Sequence, residues 1–400
     1  MGTYPEAVPA AYLSGFRVLR PEYSASNEEG VDWLSRAHAR AEAVLRGDPA
    51  FDEEAFRVSM ARYVRRFGCG PDSLSRRGHD LPDFLHLDFP RMRLFGLAPG
   101  RPAAGAGMAD RMAVFAEIAK AKAEAFYPED EVPPRDILHV TCTGYVAPGS
   151  VQEMVAARGW QDRTGVTHVY HMGCYAAMPA ARIAAGYLAS KGLGMPAGAG
   201  GEADDRVDIV HTEACTLHLD PTRHDPEQLV VQSLFADGHI RYSLRSRRGE
   251  GPALALLGVR EALVPGSLGA MGWLLGDRGM RMSLSREVPE LISGALKGFL
   301  RGLFAACGVD AAEAFGKGVF AVHPGGPRII DKVAELLELS PGQVATSRAV
   351  LRDFGNMSSA TLPHIWERMA ADPDLPAGTP VTSLAFGPGL TVYGAMLRKA

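Results

Sequence analysis

The chain has 400 residues, of which 46% are hydrophobic and 22% are charged, with a formal net charge of −4 and an isoelectric point near 6.3. This composition excludes a disordered chain and suits one large globular unit or two domains that share a core. The weakly acidic balance excludes bulk attraction to nucleic acid, so no nucleic-acid partner is expected.

Cysteine usage and hydropathy indicate the compartment. The five cysteines are odd in number and lack the spacing of a disulfide framework, and the N-terminus shows no basic segment followed by an apolar core. No run of about 18 apolar residues is present, which predicts no membrane-spanning helix and no membrane partner. The reducing cytoplasm is therefore the expected location.

The predicted elements alternate between strands, where β-branched and aromatic residues cluster, and helices with a 3.6-residue period. In the first half they are a strand at 11–19, a helix from 27 to about 46, a helix around 62–66, a helix from 109 to 127, a strand at 137–144, a strand at 166–170, a helix ending near 191 and a strand at 207–211. Such alternation predicts α/β layers.

A glycine-rich segment near Gly249, RRGEGP, interrupts two strand-rich stretches. We place the boundary between two halves there, with an N-terminal half at 1–244 and a C-terminal half at 245–400. The second half again alternates strands and helices, and it ends with two strands within 383–397.

Three separated segments each place one reactive residue in a glycine-rich turn: Cys174 in HMGCYAAM, His323 in FAVHPGGP and Asn356 in DFGNMSSA. Cys174 lies between a predicted strand and a predicted helix, where the positive end of the helix dipole favours a thiolate. An imidazole within reach would complete a thiolate–imidazolium pair that accepts an acyl group. Donors from His323 and Asn356 would stabilise an enolate oxygen.

These segments, together with LAFGPGLT near the C-terminus, resemble the type III polyketide synthase (chalcone synthase-like) family of the thiolase superfamily, because the four blocks occur in that family's order. The resemblance implies an α/β thiolase fold, in which two similar halves form a five-layered αβαβα arrangement, and a homodimer. It implies that an acyl-CoA starter is loaded on Cys174 and extended by decarboxylative Claisen condensation with malonyl-CoA. The implied product is a pyrone or a resorcinol-type ring, and coenzyme A thioesters are substrates with no further cofactor.

The resemblance also assigns pocket positions. Cys142 and Ser358 match positions that line the family's cavity. Leu219 and Met282 stand where the family has two entrance phenylalanines, which predicts a more aliphatic mouth suited to a fatty chain; ordinary core packing is the alternative. Trp273 stands near a small residue of the plant relatives and would narrow the cavity, unless it packs between layers.

A group of three arginines, Arg62, Arg65 and Arg66, lies where relatives bind coenzyme A. Guanidinium groups suit phosphate oxygens, so we expect these residues to bind the thioester's phosphates. A solvated helix face is the alternative for each of them. The resemblance also implies that the Cys174 amide and an amide of the 385–389 turn form a hole for the acyl carbonyl.

Other interpretations of the same residues remain open. A thiolase-fold ketosynthase would use the same three residues for a single condensation, with an acyl-carrier-protein donor or by joining two acyl chains. A homologue that binds acyl-CoA without turnover is the non-enzymatic alternative. No metal is expected, because strand alternation sends His168 and His171 to opposite faces despite their ligand-like spacing to Cys174.

Overall fold

The computed structural model describes residues 9–190 and 204–400. The strands are β1 (Ala11–Leu19), β2 (Tyr23–Ser26), β3 (Arg76–His79), β4 (Pro134–Thr141), β5 (Gly165–Tyr170), β6 (Asp204–Ala214), β7 (Asp237–Arg245), β8 (Ala253–Leu263), β9 (Met271–Gly276), β10 (Gly279–Leu284), β11 (Val319–Val322), β12 (Pro380–Gly387) and β13 (Thr391–Lys399). The helices are α1 (Asn27–Arg46), α2 (Glu53–Phe67), α3 (Met108–Phe126), α4 (Ser150–Ala157), α5 (Ala177–Ala189), α6 (Pro226–Leu234), α7 (Val288–Cys307), α8 (Ala311–Lys317), α9 (Pro327–Leu337), α10 (Ala345–Phe354) and α11 (Thr361–Ala371).

Nine of these strands form one mixed sheet in the order β11-β12-β13-β8-β1-β7-β6-β4-β5. β4 runs parallel to β5 and β6, and β11 runs parallel to β12, whereas the other neighbouring strands are antiparallel. The pairing of β1 with β8 joins the strands of the first half to those of the second. β2 with β3 and β9 with β10 form separate two-stranded ribbons.

The helices divide this sheet into layers. The first arm of the sheet is β1-β7-β6-β4-β5, and the second arm is β11-β12-β13-β8. α5 and α11 pack between the two arms, α3 and α4 cover the outer side of the first arm, and α7 covers the outer side of the second. α5 is apolar on most of its surface, as a helix buried between two sheets must be. The expected five-layered α/β arrangement is confirmed.

Local sequence signals placed most boundaries well. The predicted strand at 11–19 and helix at 27–46 coincide with β1 and α1. A capping box begins α1, in which the Ser26 hydroxyl accepts from the Glu29 N–H and the Glu29 carboxylate accepts from the Ser26 N–H. The predicted helix end near 191 lies outside the described residues. The boundary at 244/245 falls at the end of β7 and stays a prediction, because one sheet runs through both halves.

Helix length also bears on membrane insertion. Within the described ranges, no single helix is long and apolar enough to cross a bilayer, although α7 and α8, bent by 110° relative to each other, pass by length and composition when taken together.

Candidate active site

Cys174 lies in a turn between β5 and α5. After β5 ends, His171 (φ 60) and Gly173 (φ 83) turn the chain with backbone angles that few residue types adopt. A Cβ on Gly173 would come within 2.7 Å of Pro388 Cδ, so glycine lets this turn pack directly against the 387–389 segment. The Cys174 side chain is therefore held at the approach to α5, partly exposed to a cleft.

His323 follows the last residue of β11. Its N–H donates to the Leu384 carbonyl at 2.8 Å, which extends the pairing of β11 with β12 and fixes the residue. The side chain is 1% exposed, and neither ring nitrogen has a hydrogen-bond partner among the described residues. Buried polar groups normally have hydrogen-bond partners. An imidazole without one in the wall of a cleft is therefore available to a ligand.

Asn356 lies between α10 and α11, where its backbone bridges to a third segment. Its N–H donates to the Leu234 carbonyl at 3.1 Å, and its carbonyl accepts from the Ala236 N–H at 2.9 Å. The side-chain Oδ1 accepts from the Ser358 N–H at 2.9 Å and from the Thr361 hydroxyl at 3.4 Å. Because these donors fix the orientation of the amide, Nδ2 is the atom left to donate toward the cleft.

One cleft of about 880 Å³ brings these three side chains together. Cys174, His323 and Asn356 all line it, although they come from distant parts of the chain. Its mouth carries the exposed arginines Arg66, Arg286 and Arg328. Only Arg66 was singled out in the sequence; the other two lie in SLSREVP and HPGGPRI, where a basic residue beside a motif was the available signal.

The electrostatics of the cleft bear on the expected pairing of Cys174 with His323. Burial raises the pKa of the Cys174 thiol to about 12, although hydrogen bonds from Ser358 and Asn356 favour the thiolate and offset part of that rise. Burial lowers the pKa of His323 to about 3. The Cys174 sulfur lies 3.9 Å from the Ser358 hydroxyl and makes no hydrogen bond to His323 within the described structure. Desolvation favours the neutral form of both groups, and the expected thiolate–imidazolium pair stays a prediction.

A smaller chamber of about 30 Å³ adjoins the cleft at Cys174. Four of the predicted pocket residues line it: Cys142, Trp273, Met282 and Ser358. Leu219 does not border this chamber or the cleft, which corrects its expected place at the entrance. The short 3₁₀ turn at Cys215–His218 carries it inward, and it lines an inner cavity of about 80 Å³ instead.

Trp273 lies in the wall that the chamber shares with the inner cavity. Its indole N–H donates to the Cys142 carbonyl at 2.7 Å, and its own carbonyl lies 2.9 Å from His171 Nε2. Hydrogen bonds therefore hold the residue at both its side chain and its backbone. That it limits chain length stays a prediction.

Glu213 was missed in the sequence. It is fully buried on β6 below the chamber, where it accepts from the Cys142 N–H at 3.1 and 3.0 Å, from the Thr143 hydroxyl at 2.8 Å and from the Ser359 hydroxyl. Burial raises the pKa of Glu213, and these donors lower it. The residue ties the end of β4 to the segment after Asn356. It lies just beyond the strand predicted at 207–211, and the same strand also carries the buried Asp208, so no local signal singled out Glu213.

The arginine cluster on α2 does not act as a unit. Arg65 forms an ion pair with Glu28, with a distance of 2.7 Å between Nη2 and Oε2. Arg62 is exposed, and Arg66 lies in the cleft wall. Of the three arginines, only Arg66 lies in the cleft wall, and Arg65 has a carboxylate partner instead; that they bind coenzyme A stays a prediction.

The histidines with metal-like spacing have other neighbours. His168 Nε2 lies 3.1 Å from Gln152 Oε1, and His171 Nε2 faces the Trp273 carbonyl. No cluster of three or more His, Cys, Asp or Glu residues suited to a metal was found in the described ranges.

Comparisons with known proteins show which proteins the sequence resembles. Residues 256–400 match the family of chalcone and stilbene synthases, C-terminal domain. Type III polyketide synthase C of Arabidopsis thaliana is 27% identical over 66% of this chain and 67% of its own length. Probable polyketide synthase 1 of Dictyostelium discoideum is 28% identical over 66% of this chain but only 8% of its own length.

Solved structures resemble the whole chain more evenly. The C-terminal type III polyketide synthase domain of Steely1 from Dictyostelium has a TM-score of 0.77 at 21% identity, over 97% of this chain and 99% of that chain. 1,3,6,8-Tetrahydroxynaphthalene synthase from Streptomyces coelicolor A3(2) has a TM-score of 0.76 at 23% identity, over the same shares. These similarities extend the shared fold to the N-terminal half.

The layered fold is that of the solved type III polyketide synthases, and the match over residues 256–400 is to a family of condensing enzymes. Residues 256–400 belong to the chalcone and stilbene synthase family by its C-terminal domain, and the curated relatives of the chain are type III polyketide synthases at 27% identity over 66% of this chain. Members of this family condense acyl-CoA with malonyl-CoA and are typically dimers.

Proposed function

We propose that Cys174 accepts the acyl group of an acyl-CoA starter and that malonyl-CoA extends it by decarboxylative Claisen condensation in the same cleft. One observation carries this proposal: a buried imidazole with two unpartnered nitrogens shares a cleft with a partly exposed sulfur and a carboxamide donor. A site of this kind offers one nucleophile and two hydrogen-bonding groups to a ligand that enters from the mouth.

Loading begins from neutral partners. The Cys174 thiol attacks the thioester carbonyl while its proton passes to the unprotonated nitrogen of His323, and coenzyme A leaves with a proton as a free thiol. The Cys174 N–H is one donor to the oxyanion. The second must come from residues 385–387, because Pro388 has no N–H and the Gly389 N–H already donates to Met271.

Extension needs a carbanion but no strong base. Loss of carbon dioxide from malonyl-CoA leaves an enolate, whose oxygen the His323 ring and Asn356 Nδ2 stabilise as donors. The enolate carbon attacks the Cys174 thioester, the new carbon–carbon bond forms, and the Cys174 thiolate leaves and is reprotonated. The proposed chemistry requires no cofactor beyond the two thioesters, which stays a prediction.

Arginines at the mouth of the cleft would balance the negative charge of the coenzyme A phosphates. Arg66, Arg286 and Arg328 approach it from α2, from the segment after β10 and from α9. Their guanidinium groups suit the phosphates of the carrier. The small volume of the chamber and the position of Trp273 in its wall favour few rounds of extension by malonyl-CoA. We propose a pyrone or resorcinol-type ring as the product. The acyl donor that the enzyme accepts, coenzyme A thioester or acyl carrier protein, distinguishes this proposal from a single-step ketosynthase.

We also propose that the protein is a homodimer and that it lies in the cytoplasm. β5 is an edge strand of the nine-stranded sheet, and an open edge invites pairing with another chain. Apolar side chains are exposed near its end, with Tyr145 at 38%, Leu274 at 70% and Leu275 at 50%. The cytoplasmic location rests on cysteine usage alone.

A starter panel tests the function. The full-length protein is incubated with acyl-CoA thioesters and labelled malonyl-CoA, and intact mass, carbon dioxide release and product masses are measured. We expect an acyl adduct on Cys174 and condensed products. An adduct without carbon dioxide release would favour an acyl-CoA-binding protein, and activity with carrier-protein donors alone would favour the single-step ketosynthase.

A further inference from the structure

Strand β10 places three alternating side chains along the inner cavity, the chamber and the cleft. Met280 lines the inner cavity, Met282 borders both the chamber and the cleft, and Leu284 lines the cleft. Arg281 and Ser283 point outward and are exposed. Since a strand rises by about 3.4 Å per residue, the three inward side chains, here called the β10 rail, span roughly 13 Å.

Side chains from the body of the protein hold the free edge of β10. β9 pairs with one edge, and the backbone groups of the rail residues face the other. There the Met280 N–H donates to His218 Nδ1 at 3.3 Å, Gln228 Nε2 donates to the Met282 carbonyl at 2.8 Å, and the Leu284 N–H donates to Glu227 Oε1 at 2.5 Å.

These three residues, here called the edge clamp (His218, Gln228 and Glu227), take the place of a neighbouring strand. They come from the 3₁₀ turn after β6 and from the first turn of α6. Each anchors a different rail residue, so together they determine how far β10 stands from the opposite wall of the cavities. Without such partners, the backbone N–H and C=O groups of this edge would bond to water or pair with another chain.

The environment of His218 fixes its tautomer. Its Nε2 lies 2.7 Å from the Thr143 carbonyl and must donate, whereas Nδ1 receives the Met280 N–H and must accept. Both bonds form only with a neutral ring protonated at Nε2. Burial lowers the pKa of His218 to about 4, which agrees with a neutral ring.

We propose that the edge clamp consists of positioning residues for acyl-chain selection, which hold the β10 rail against the aliphatic tail of the acyl thioester. This inference rests on the proposed function and deepens it, because it assigns an aliphatic acyl chain to the side of the cleft and the chamber that β10 forms. His218 and Gln228 also border the inner cavity and Glu227 borders the cleft, so the clamp residues lie beside the proposed acyl site as well as holding β10, and they take no part in bond formation.

Paired substitutions separate the two hydrogen bonds of His218. In His218→Asn, the side-chain oxygen lies near the position of Nδ1 and still accepts from the Met280 N–H. In His218→Gln, the amide nitrogen reaches the position of Nε2 and still donates to the Thr143 carbonyl, but the Met280 N–H loses its acceptor. Gln228→Met removes the donor to Met282 at similar length, and Glu227→Gln keeps an acceptor for Leu284. Arg281→Ala is the matched control on the outward face of the same strand.

Binding of non-hydrolysable alkyl-CoA thioethers to the full-length protein is measured by calorimetry, with ethyl, hexyl and decyl chains. For the wild type we expect affinity to rise by up to about fourfold per buried methylene. His218→Gln and Gln228→Met should reduce that gain to roughly twofold or less per methylene, while affinity for the ethyl thioether stays within about twofold. His218→Asn, Glu227→Gln and Arg281→Ala should keep the wild-type gain.

Two outcomes would overturn the inference. One is an unchanged gain per methylene in both His218→Gln and Gln228→Met; the other is an equal loss in His218→Asn and His218→Gln. If His218→Gln fails to fold, Gln228→Met decides the question by itself. Binding does not require turnover, so a wild type that selects chain length but forms no condensed product would refute the proposed function and leave this inference standing.

Discussion

The role of Asn356 gives the sharpest test of how the cleft divides its work. Its backbone hydrogen bonds to Leu234 and Ala236 do not involve the side chain, so Asn356→Ala should keep the turn that carries it. The substitution removes Nδ2, the donor proposed for the enolate oxygen. It also removes Oδ1, which accepts from the Ser358 N–H and the Thr361 hydroxyl, at about 1 to 2 kcal/mol of local stability.

The expected loss follows from the value of one aligned donor. Removing such a donor costs about 3 kcal/mol of transition-state stabilisation, which is roughly a 150-fold loss of rate. Carbon dioxide release from malonyl-CoA should fall by that amount. Acylation of Cys174, followed by intact mass at early times, should fall by less than about tenfold, because the oxyanion donors for that step are backbone amides.

Thr361→Val is the matched control. It removes the hydroxyl that contacts Asn356 Oδ1 and accepts from the Met357 N–H, but it leaves Nδ2 in place. Decarboxylation in this variant should stay within about tenfold of the wild type. Equal losses in both half-reactions of Asn356→Ala, or the same loss in Thr361→Val, would refute the argument.

Cys174→Ala should abolish acyl loading, seen by intact mass, yet retain malonyl-CoA decarboxylation, and loss of both reactions would contradict this division. Arg66→Glu should raise the KM for the thioester severalfold with little change in kcat, whereas Arg65→Glu should change KM less because Glu28 already pairs with Arg65; equal effects would count against the mouth assignment. Because burial raises the pKa of the Cys174 thiol to about 12, the thiolate fraction grows with pH, and alkylation by iodoacetamide should still accelerate between about pH 7 and pH 10; a plateau reached below that range would indicate a preformed thiolate. Gly387→Ala should lower the Tm, since its Cβ would lie 2.0 Å from the Tyr175 ring and such overpacking costs about 1 to 3 kcal/mol; an unchanged Tm would show that the ring moves freely.

Local patterns in the sequence were enough for much of the fold. The helix at 27–46 was found with its bounds because its apolar period and its cap are encoded in adjacent residues. The turn at Cys174 was found because a strand-like run meets glycine before an alanine-rich helix. The family blocks supplied the layering, which no short segment encodes.

The misplaced residues share one cause. The side-chain direction of Leu219 depends on the 3₁₀ turn that precedes it, and the ion pair of Arg65 joins α2 to a residue of α1 far away in sequence. Glu213 escaped notice because its donors come from the segments after β4 and after α10. Partners that meet only after folding leave no local periodic signal.

The sequence by itself determined the reactive groups, namely a cysteine, a histidine and an asparagine in glycine-rich turns, and the α/β layers that carry them. Tertiary structure decided the direction in which their pKa values shift, because the pKa of a thiol or an imidazole depends on the burial and the neighbours that distant segments provide. It also decided where β10 stands in the wall of the cavities. The position of β10 is set by side chains of the 3₁₀ turn after β6 and of α6, which come together with β10 only in the folded chain.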